Sequence, residues 1–322
     1  MYKSKRLLKS LVRLILPVLL LIVLAVGGAS VWLVHETSQI KAAPYLMKPD
    51  KYGQLSSRAA QITEETWPNG DGTTSRGWLL RGTDNSPGII LFHKYGADRS
   101  YMLNLGVKLS ESSNFTVLMP DLRGHGENPL VKRTTFGGTE SNDAAAAVQF
   151  LRSLRTPEQI PVVSEVGVYG VELGAIAAIS AAAKDMNVKV LVLDSVPQDS
   201  DAVLAAAIGK RFPFASSITS RFASLGTNLY FYDGSYKVGT SCEQARTLLK
   251  RKALLLAGVD AYDFQDSTLK VSKCFPPGST TETKLDLSPS GYSIVNASIE
   301  QAEIYDQRVI DFFKTAFAPL NS

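Results

Sequence analysis

Val168-Tyr169-Gly170-Val171-Glu172-Leu173-Gly174-Ala175 is the stretch on which the reading of this chain turns. A β-branched run enters it and the alanine-rich run Gly174-Ala175-Ile176-Ala177-Ala178 leaves it, so a strand passes directly into a helix across a turn framed by Gly170 and Gly174. The two glycines keep side chains out of the crossing and let the helix pack close to the sheet. The pattern is G-x-S-x-G, the turn that exposes a nucleophilic serine, with Glu172 where the serine belongs. Acyl transfer through a serine needs that hydroxyl, and Glu172 has none. Two readings of Glu172 follow: a carboxylate nucleophile, or a carboxylate placed at a helix N-terminus because the dipole and backbone N–H groups favour it there.

Outward from this turn, short β-branched runs alternate with helical segments, which argues for an α/β fold with a mostly parallel sheet flanked by helices. Gln61 to Trp67 and Gly77 to Arg81 read as an antiparallel pair across the turn Pro68-Asn69-Gly70-Asp71-Gly72, and Gly88 to Phe92 reads as a buried strand. Parallel strands are expected at Phe115 to Met119, Val166 to Tyr169, Val188 to Leu193 and Ala253 to Leu256. Helices are expected at Tyr101 to Glu111, Ser141 to Leu154, Leu173 to Lys184, Cys242 to Lys250 and Ile299 to Phe317. With 322 residues, 45% apolar and 20% charged, the chain can bury one large core.

The N-terminus is of a different kind. Lys3, Lys5, Arg6, Lys9 and Arg13 form a basic tail over residues 1–13, and 14–34 then carries no charge, long enough to cross a bilayer as a helix. The competing reading is a cleaved signal peptide, for which Gly28-Ala29-Ser30 supplies small residues, although such segments have apolar cores of only about 7–15 residues. As an anchor, its basic flank places the tail in the cytoplasm and the remainder outside. Removing those five charges from the formal +4 leaves the rest of the chain near −1, so the basic balance belongs to a membrane partner and no nucleic-acid partner is expected. Cys242 and Cys274 are the only cysteines; they read as a disulfide on the exported side or as two buried thiols. Their spacing lacks the close pairs of a zinc site, and no metal or cofactor is expected.

From about residue 57 onward the chain resembles the α/β-hydrolase family, after a linker over 35–56. Leu91 to Ser100 resembles the loop after that family's third strand, and Pro120-Asp121-Leu122-Arg123-Gly124-His125-Gly126-Glu127 resembles its D-x-R-G-H-G turn. The elbow follows, and Thr134-Thr135-Phe136-Gly137 and Asp194-Ser195 are similar to features of bacterial membrane-anchored or exported members. The resemblance implies a nucleophile, a base, an acid that orients the base, and oxyanion donors. The nucleophile position is Glu172. The base position falls in Leu287 to Ser293, which is similar to the family's P-G-x-G-H stretch, with Tyr292 where histidine would stand; tyrosine, with a pKa of about 10, is a poor base near neutrality. The three histidines, His35, His93 and His125, all precede the elbow. Counted without a gap the acid falls on Ala261, and Asp260 or Asp263 takes the role with a shift; Asp260 is the candidate. His93, Lys94, Tyr95 and Leu173 are the candidate pocket residues, and Lys94 in the oxyanion loop either restricts the pocket or pairs its ammonium with Glu172.

The connection over 196–240 reads as a cap insertion, rich in Phe212, Phe214, Phe222, Tyr230, Phe231, Tyr232 and Tyr236. It roofs a ligand pocket or forms a small helical subcore. The expectation from the whole chain is a membrane-anchored α/β-hydrolase-like protein that has lost triad catalysis and binds a small molecule or protein. The alternative is a hydrolase of small esters or amides that uses Glu172 or a rearranged site.

Overall fold

The computed structural model describes residues 2–41, 43–49, 62–212 and 216–318, with side chains from residue 13 onward except those of 216–218. The end of the linker over 35–56, the domain start at residue 57, Gln61, Phe214 and the side chains of Lys3, Lys5, Arg6 and Lys9 lie outside the described residues.

Eight strands form one sheet in the order β1-β2-β4-β3-β5-β6-β7-β8. They are β1 (Ile62–Pro68), β2 (Thr74–Leu80), β3 (Ser86–Phe92), β4 (Thr116–Pro120), β5 (Val163–Val171), β6 (Val188–Asp194), β7 (Lys252–Gly258) and β8 (Thr280–Leu287). Strand β2 alone runs against the others, pairing antiparallel with β1 and β4. The central strands are continuous apolar runs because both faces are covered: Ile89, Ile90, Leu91, Val168, Leu191, Val192, Leu193 and Leu255 are at most 1% exposed. Helix α1 (Tyr2–Ser38) precedes the sheet. Helices α2 (Leu103–Ser113), α3 (Glu140–Ser153), α4 (Leu173–Lys184), α5 (Ser200–Arg211), α6 (Ser216–Tyr230), α7 (Ser241–Ala245), α8 (Tyr262–Ser272) and α9 (Ile299–Phe317) follow in turn. Helix α4 is buried from Leu173 to Ala182, which is why its sequence is nearly all alanine, isoleucine and glycine: only small residues let it lie between sheet and α3.

The chain divides into two compact units, one of Met1–Thr37 with Leu204–Gly234 and one of Ser38–Val203 with Ser235–Ser322. In the first, residues 13–38 of α1 form a stretch long and apolar enough to cross a membrane. The helix continues past Val34 to Ser38 because the hydroxyls of Ser30 and Thr37 bond back to the carbonyls of Val26 and Leu33, each at 2.8 Å, so polar residues cost it little. In the second unit the strand β8 departs from expectation. Its sequence, TTETKLDL, lacks an apolar run because it is an edge strand with its first four residues exposed. The helix expected over Cys242 to Lys250 is confined to Ser241–Ala245, since Leu248 turns into the core and Lys250 takes φ 56° to enter β7. Cys242 and Cys274 form a disulfide that joins α7 to the end of α8, so of the two sequence readings the bridged one holds.

Candidate active site

Strand β5 delivers Gly170 and Val171 to the carboxyl edge of the sheet, and α4 starts at Leu173. Between them Glu172 has φ 50° and ψ −109°. Such a conformation costs a non-glycine residue about 1–3 kcal/mol and persists only where its surroundings fix it. They do so here. The Glu172 amide donates to the Asp194 carbonyl at 3.0 Å, and a Cβ on Gly170 would meet the Gly174 carbonyl oxygen at 2.1 Å. A Cβ on Gly174 would meet the Phe92 carbonyl oxygen at 2.2 Å. The turn is therefore a true elbow, built by glycines that no other residue can replace.

At its apex the Glu172 side chain is buried, and Oε2 accepts hydrogen bonds from the backbone N–H of Tyr95 at 2.7 Å and of Leu173 at 3.2 Å. One donor follows the apex residue and the other comes from the loop after β3, which are the two positions from which this type of elbow builds an oxyanion hole. A carboxylate oxygen thus lies where a developing oxyanion would be received. Charge-assisted bonds and the N-terminal dipole of α4 favour it there. The sequence reading joined Lys94 to Glu172. The Lys94 ammonium also donates to the Tyr292 carbonyl oxygen and lies over the rings of Tyr292 and Tyr101, whose centroids are 4.5 and 5.1 Å away.

The histidines of the two family-like loops hold backbone in place. His93 Nε2 accepts from the Leu122 amide at 3.0 Å, so its Nδ1, 2.9 Å from the Lys94 carbonyl, carries the proton. His125 repeats the arrangement, accepting from the Gly96 amide at 3.1 Å and donating to the Arg123 carbonyl at 2.8 Å. Burial lowers His93 to about 4 and His125 to about 3, the latter also through its neighbour His93. Both rings are neutral, with both nitrogens occupied, and neither has a lone pair to offer a substrate. The rest of the D-L-R-G-H-G turn is engaged likewise. Asp121 accepts from the Arg99 amide at 3.0 Å, and Arg123 forks onto Asp143 with two bonds of 2.6 Å.

The loop before α9 carries the base position. The Tyr101 hydroxyl donates to the Gly291 carbonyl at 2.7 Å, and the Tyr292 ring packs edge-on against Phe264. Burial, and then the charges of Glu172, Asp263 and Asp260, push the Tyr292 hydroxyl well above the usual tyrosine range, so it keeps its proton. Asp260 does not face a base: its two oxygens accept from the amide and hydroxyl of Ser290, each at 3.0 Å. Sequence reasoning missed the second carboxylate at this loop. Asp194, fully buried at the end of β6, accepts from the Gly291 amide at 2.9 Å, the Tyr305 hydroxyl at 2.8 Å and the Ser195 hydroxyl at 2.6 Å. Tyr169 in turn donates to Tyr305 at 2.8 Å, because the single Tyr305 proton is spent on Asp194. The signal was present in Asp194-Ser195, a buried acid at a strand end.

Tyr95 stacks on Phe136, which meets Tyr236 edge-on, so aromatic rings line the neighbourhood of the elbow. A cavity of ≈ 660 Å³ opens between α9 and the β7–β8 edge, lined by Glu282, Glu303, Arg308 and Phe312 among others, and one of ≈ 220 Å³ lies beside Tyr101, Tyr169 and Tyr305. Neither includes Glu172, Lys94 or Leu173 in its wall. Among the described residues, no group of three or more His, Cys, Asp or Glu is placed to hold a metal ion.

No family model matches the chain. Over 123 residues it is 28% identical to a protein named thiohydrolase aneE from Aspergillus aculeatus, covering 38% of this chain and 37% of that one, so the match spans little more than a third of the relative's length. An esterase from Pyrococcus furiosus superposes with a TM-score of 0.62 at 20% identity, covering 86% of this chain and 97% of the other. A hypothetical protein from Pseudomonas aeruginosa gives a TM-score of 0.60 at 18% identity, with 87% and 99% covered. An α/β hydrolase from Penicillium sp. sh18 gives 0.57 at 14%, with 80% and 100% covered. With the eight-stranded sheet, the glycine-framed elbow and the two loops beside it, these likenesses identify the fold of the chain as that of the α/β-hydrolase superfamily.

Proposed function

We propose that this protein is a membrane-anchored member of its fold class that no longer performs triad catalysis and works by binding. The observation that carries the reading is the Glu172 carboxylate seated on the amides of Tyr95 and Leu173. A substrate carbonyl needs those donors as its oxygen becomes negative, and here a negative oxygen already holds them. Nor is a base at hand. Tyr292 keeps its proton, and His93 and His125 are spent on backbone. A carboxylate-nucleophile route would need the same missing base to release its ester intermediate. The anchor is the apolar stretch of α1, with the basic residues ahead of that stretch in the cytoplasm and the Cys242–Cys274 bridge on the oxidising side, where disulfides persist.

The test uses the full-length protein in nanodiscs, offered short-chain nitrophenyl esters and thioesters, the bond classes named for its esterase and thiohydrolase likenesses. The expected result is hydrolysis at the buffer rate for the wild type and for Glu172→Ala alike. Turnover by the wild type that Glu172→Ala abolishes would make Glu172 a nucleophile and overturn the reading.

A further inference from the structure

Helix α6 divides into three faces. Ala223, Gly226 and Thr227 are buried, and Arg221, Ser224 and Asn228 form a polar strip. Phe222, Leu225 and Leu229, spaced three and four residues apart, form an apolar strip on the remaining side. Leu225 is 63% and Leu229 64% exposed, and Tyr232 just beyond the helix is 89% exposed. A helix whose buried face is already satisfied gains nothing in water from a second apolar stripe.

The buried face packs on α1. A Cβ on Gly226 would meet the Ser30 carbonyl oxygen at 2.5 Å, so the two backbones touch, as small residues permit between helices in a membrane. Farther along, Tyr230 meets His35 at 3.1 Å, and Arg211 at the end of α5 forms a 2.6 Å ion pair with Glu36. These contacts fix α6 at a particular depth. The uncharged stretch 14–34 spans about 30 Å as a helix, and the Ser30 contact lies about 6 Å short of its outer end. Gly226 therefore lies within the roughly 5–10 Å to which the apolar faces of interfacial helices sink into the boundary between headgroups and acyl chains. Trp32, 53% exposed on α1, and Tyr230, which meets His35, bracket the outer end of that stretch, where aromatic side chains concentrate in membrane proteins.

We propose that α6 is a membrane-interface helix: the strip Phe222, Leu225 and Leu229 lies in the outer leaflet of the bilayer that α1 crosses, with Arg221, Ser224 and Asn228 toward headgroups and water. The inference rests on the reading that α1 spans a bilayer, and its test separates the two. The native cysteines are bridged, so single cysteines can be labelled with an environment-sensitive fluorophore in the full-length protein, reconstituted in phosphatidylcholine–phosphatidylglycerol vesicles carrying spin-labelled lipid. Probes at Leu225→Cys and Leu229→Cys should be quenched roughly threefold or more above those at Ser224→Cys and Asn228→Cys, most by labels near the headgroup. A probe at Leu20→Cys should be quenched most by labels near the chain ends. If Leu20 responds and Leu225 and Leu229 behave like Asn228, the helix is not at the interface and this inference fails while the span stands. If Leu20 does not respond, the span fails and the inference with it. Leu229→Cys chains that crosslink in pairs without lipid quenching would give the strip to a second copy, which also overturns it.

Discussion

The elbow and the loop before α9 depart from the family pattern they resemble in opposite ways. At the elbow the backbone is intact: two irreplaceable glycines, the strained apex and both donor amides remain, and only the apex side chain differs. At the base loop the backbone itself has become the ligand. Asp260 holds Ser290, Asp194 holds Gly291, and Tyr101 and Lys94 hold the two following carbonyls. The contrast teaches that the elbow is fixed by backbone that also supports the core, while the base loop is fixed by side chains that reach its amides and carbonyls.

The comparison breaks most easily at Gly174. Its missing Cβ lies 2.2 Å from backbone oxygen, which cannot swing aside as a side chain can, so Gly174→Ala should cost about 4 kcal/mol or more and leave little folded protein, read by denaturant midpoint. A mild effect would show the elbow to be plastic. On the other side, Asp194→Ala leaves the Gly291 amide and the Tyr305 hydroxyl buried without an acceptor and should cost about 2–4 kcal/mol by the same measurement. A loss below about 1 kcal/mol would remove Asp194 as the organiser of the base loop.

Acid sharpens the role of the histidines. Their folded values, about 4 and about 3, lie below the ordinary 6.5, so the folded state binds fewer protons than the unfolded chain between those limits. The stability this contributes is complete above pH 6.5 and is lost as pH falls toward the folded values, by about 1.4 kcal/mol per pH unit for each ring. Asp143, raised to about 6 by burial, binds its proton early and opposes one ring over part of that window. Imidazole NMR separates the groups: His93 and His125 should remain neutral at pH 5, and charging of either near 6.5 would show that it is free to act as a base. The smallest expected effect is on activity. Glu172→Ser with Tyr292→His restores both side chains, yet the carboxylates at the loop are committed to Ser290 and Gly291, so ester hydrolysis should stay at the buffer rate. Recovered turnover would show that the loop can still hold a working base.

Much of this was legible in residue order. The glycine spacing of the elbow, the buried central strands and the family-like loops depend on local pattern, and they lie where the pattern put them. Strand β8 was invisible because an exposed edge needs no apolar run, and helix α8 because its buried face, Phe264, Thr268, Val271 and Ser272, is half polar and makes no apolar stripe. The seat of Glu172 on Tyr95 depends on a contact 77 residues away in sequence, and that of Asp194 on Gly291 on one 97 residues away. Two amides that converge on one carboxylate leave no trace in composition.

Gly226 against Ser30 has a practical consequence. Anchored domains are routinely freed by cutting behind the membrane helix, on the assumption that the anchor is a tether. Here α1, the proposed anchor, is half of a core that 204–234 completes from the far side of the chain. A protein shortened to start at Ser38 would present Ala223, Gly226 and Thr227 to water beside an already exposed apolar strip, and solubility, the usual reason for the cut, is what the cut would forfeit.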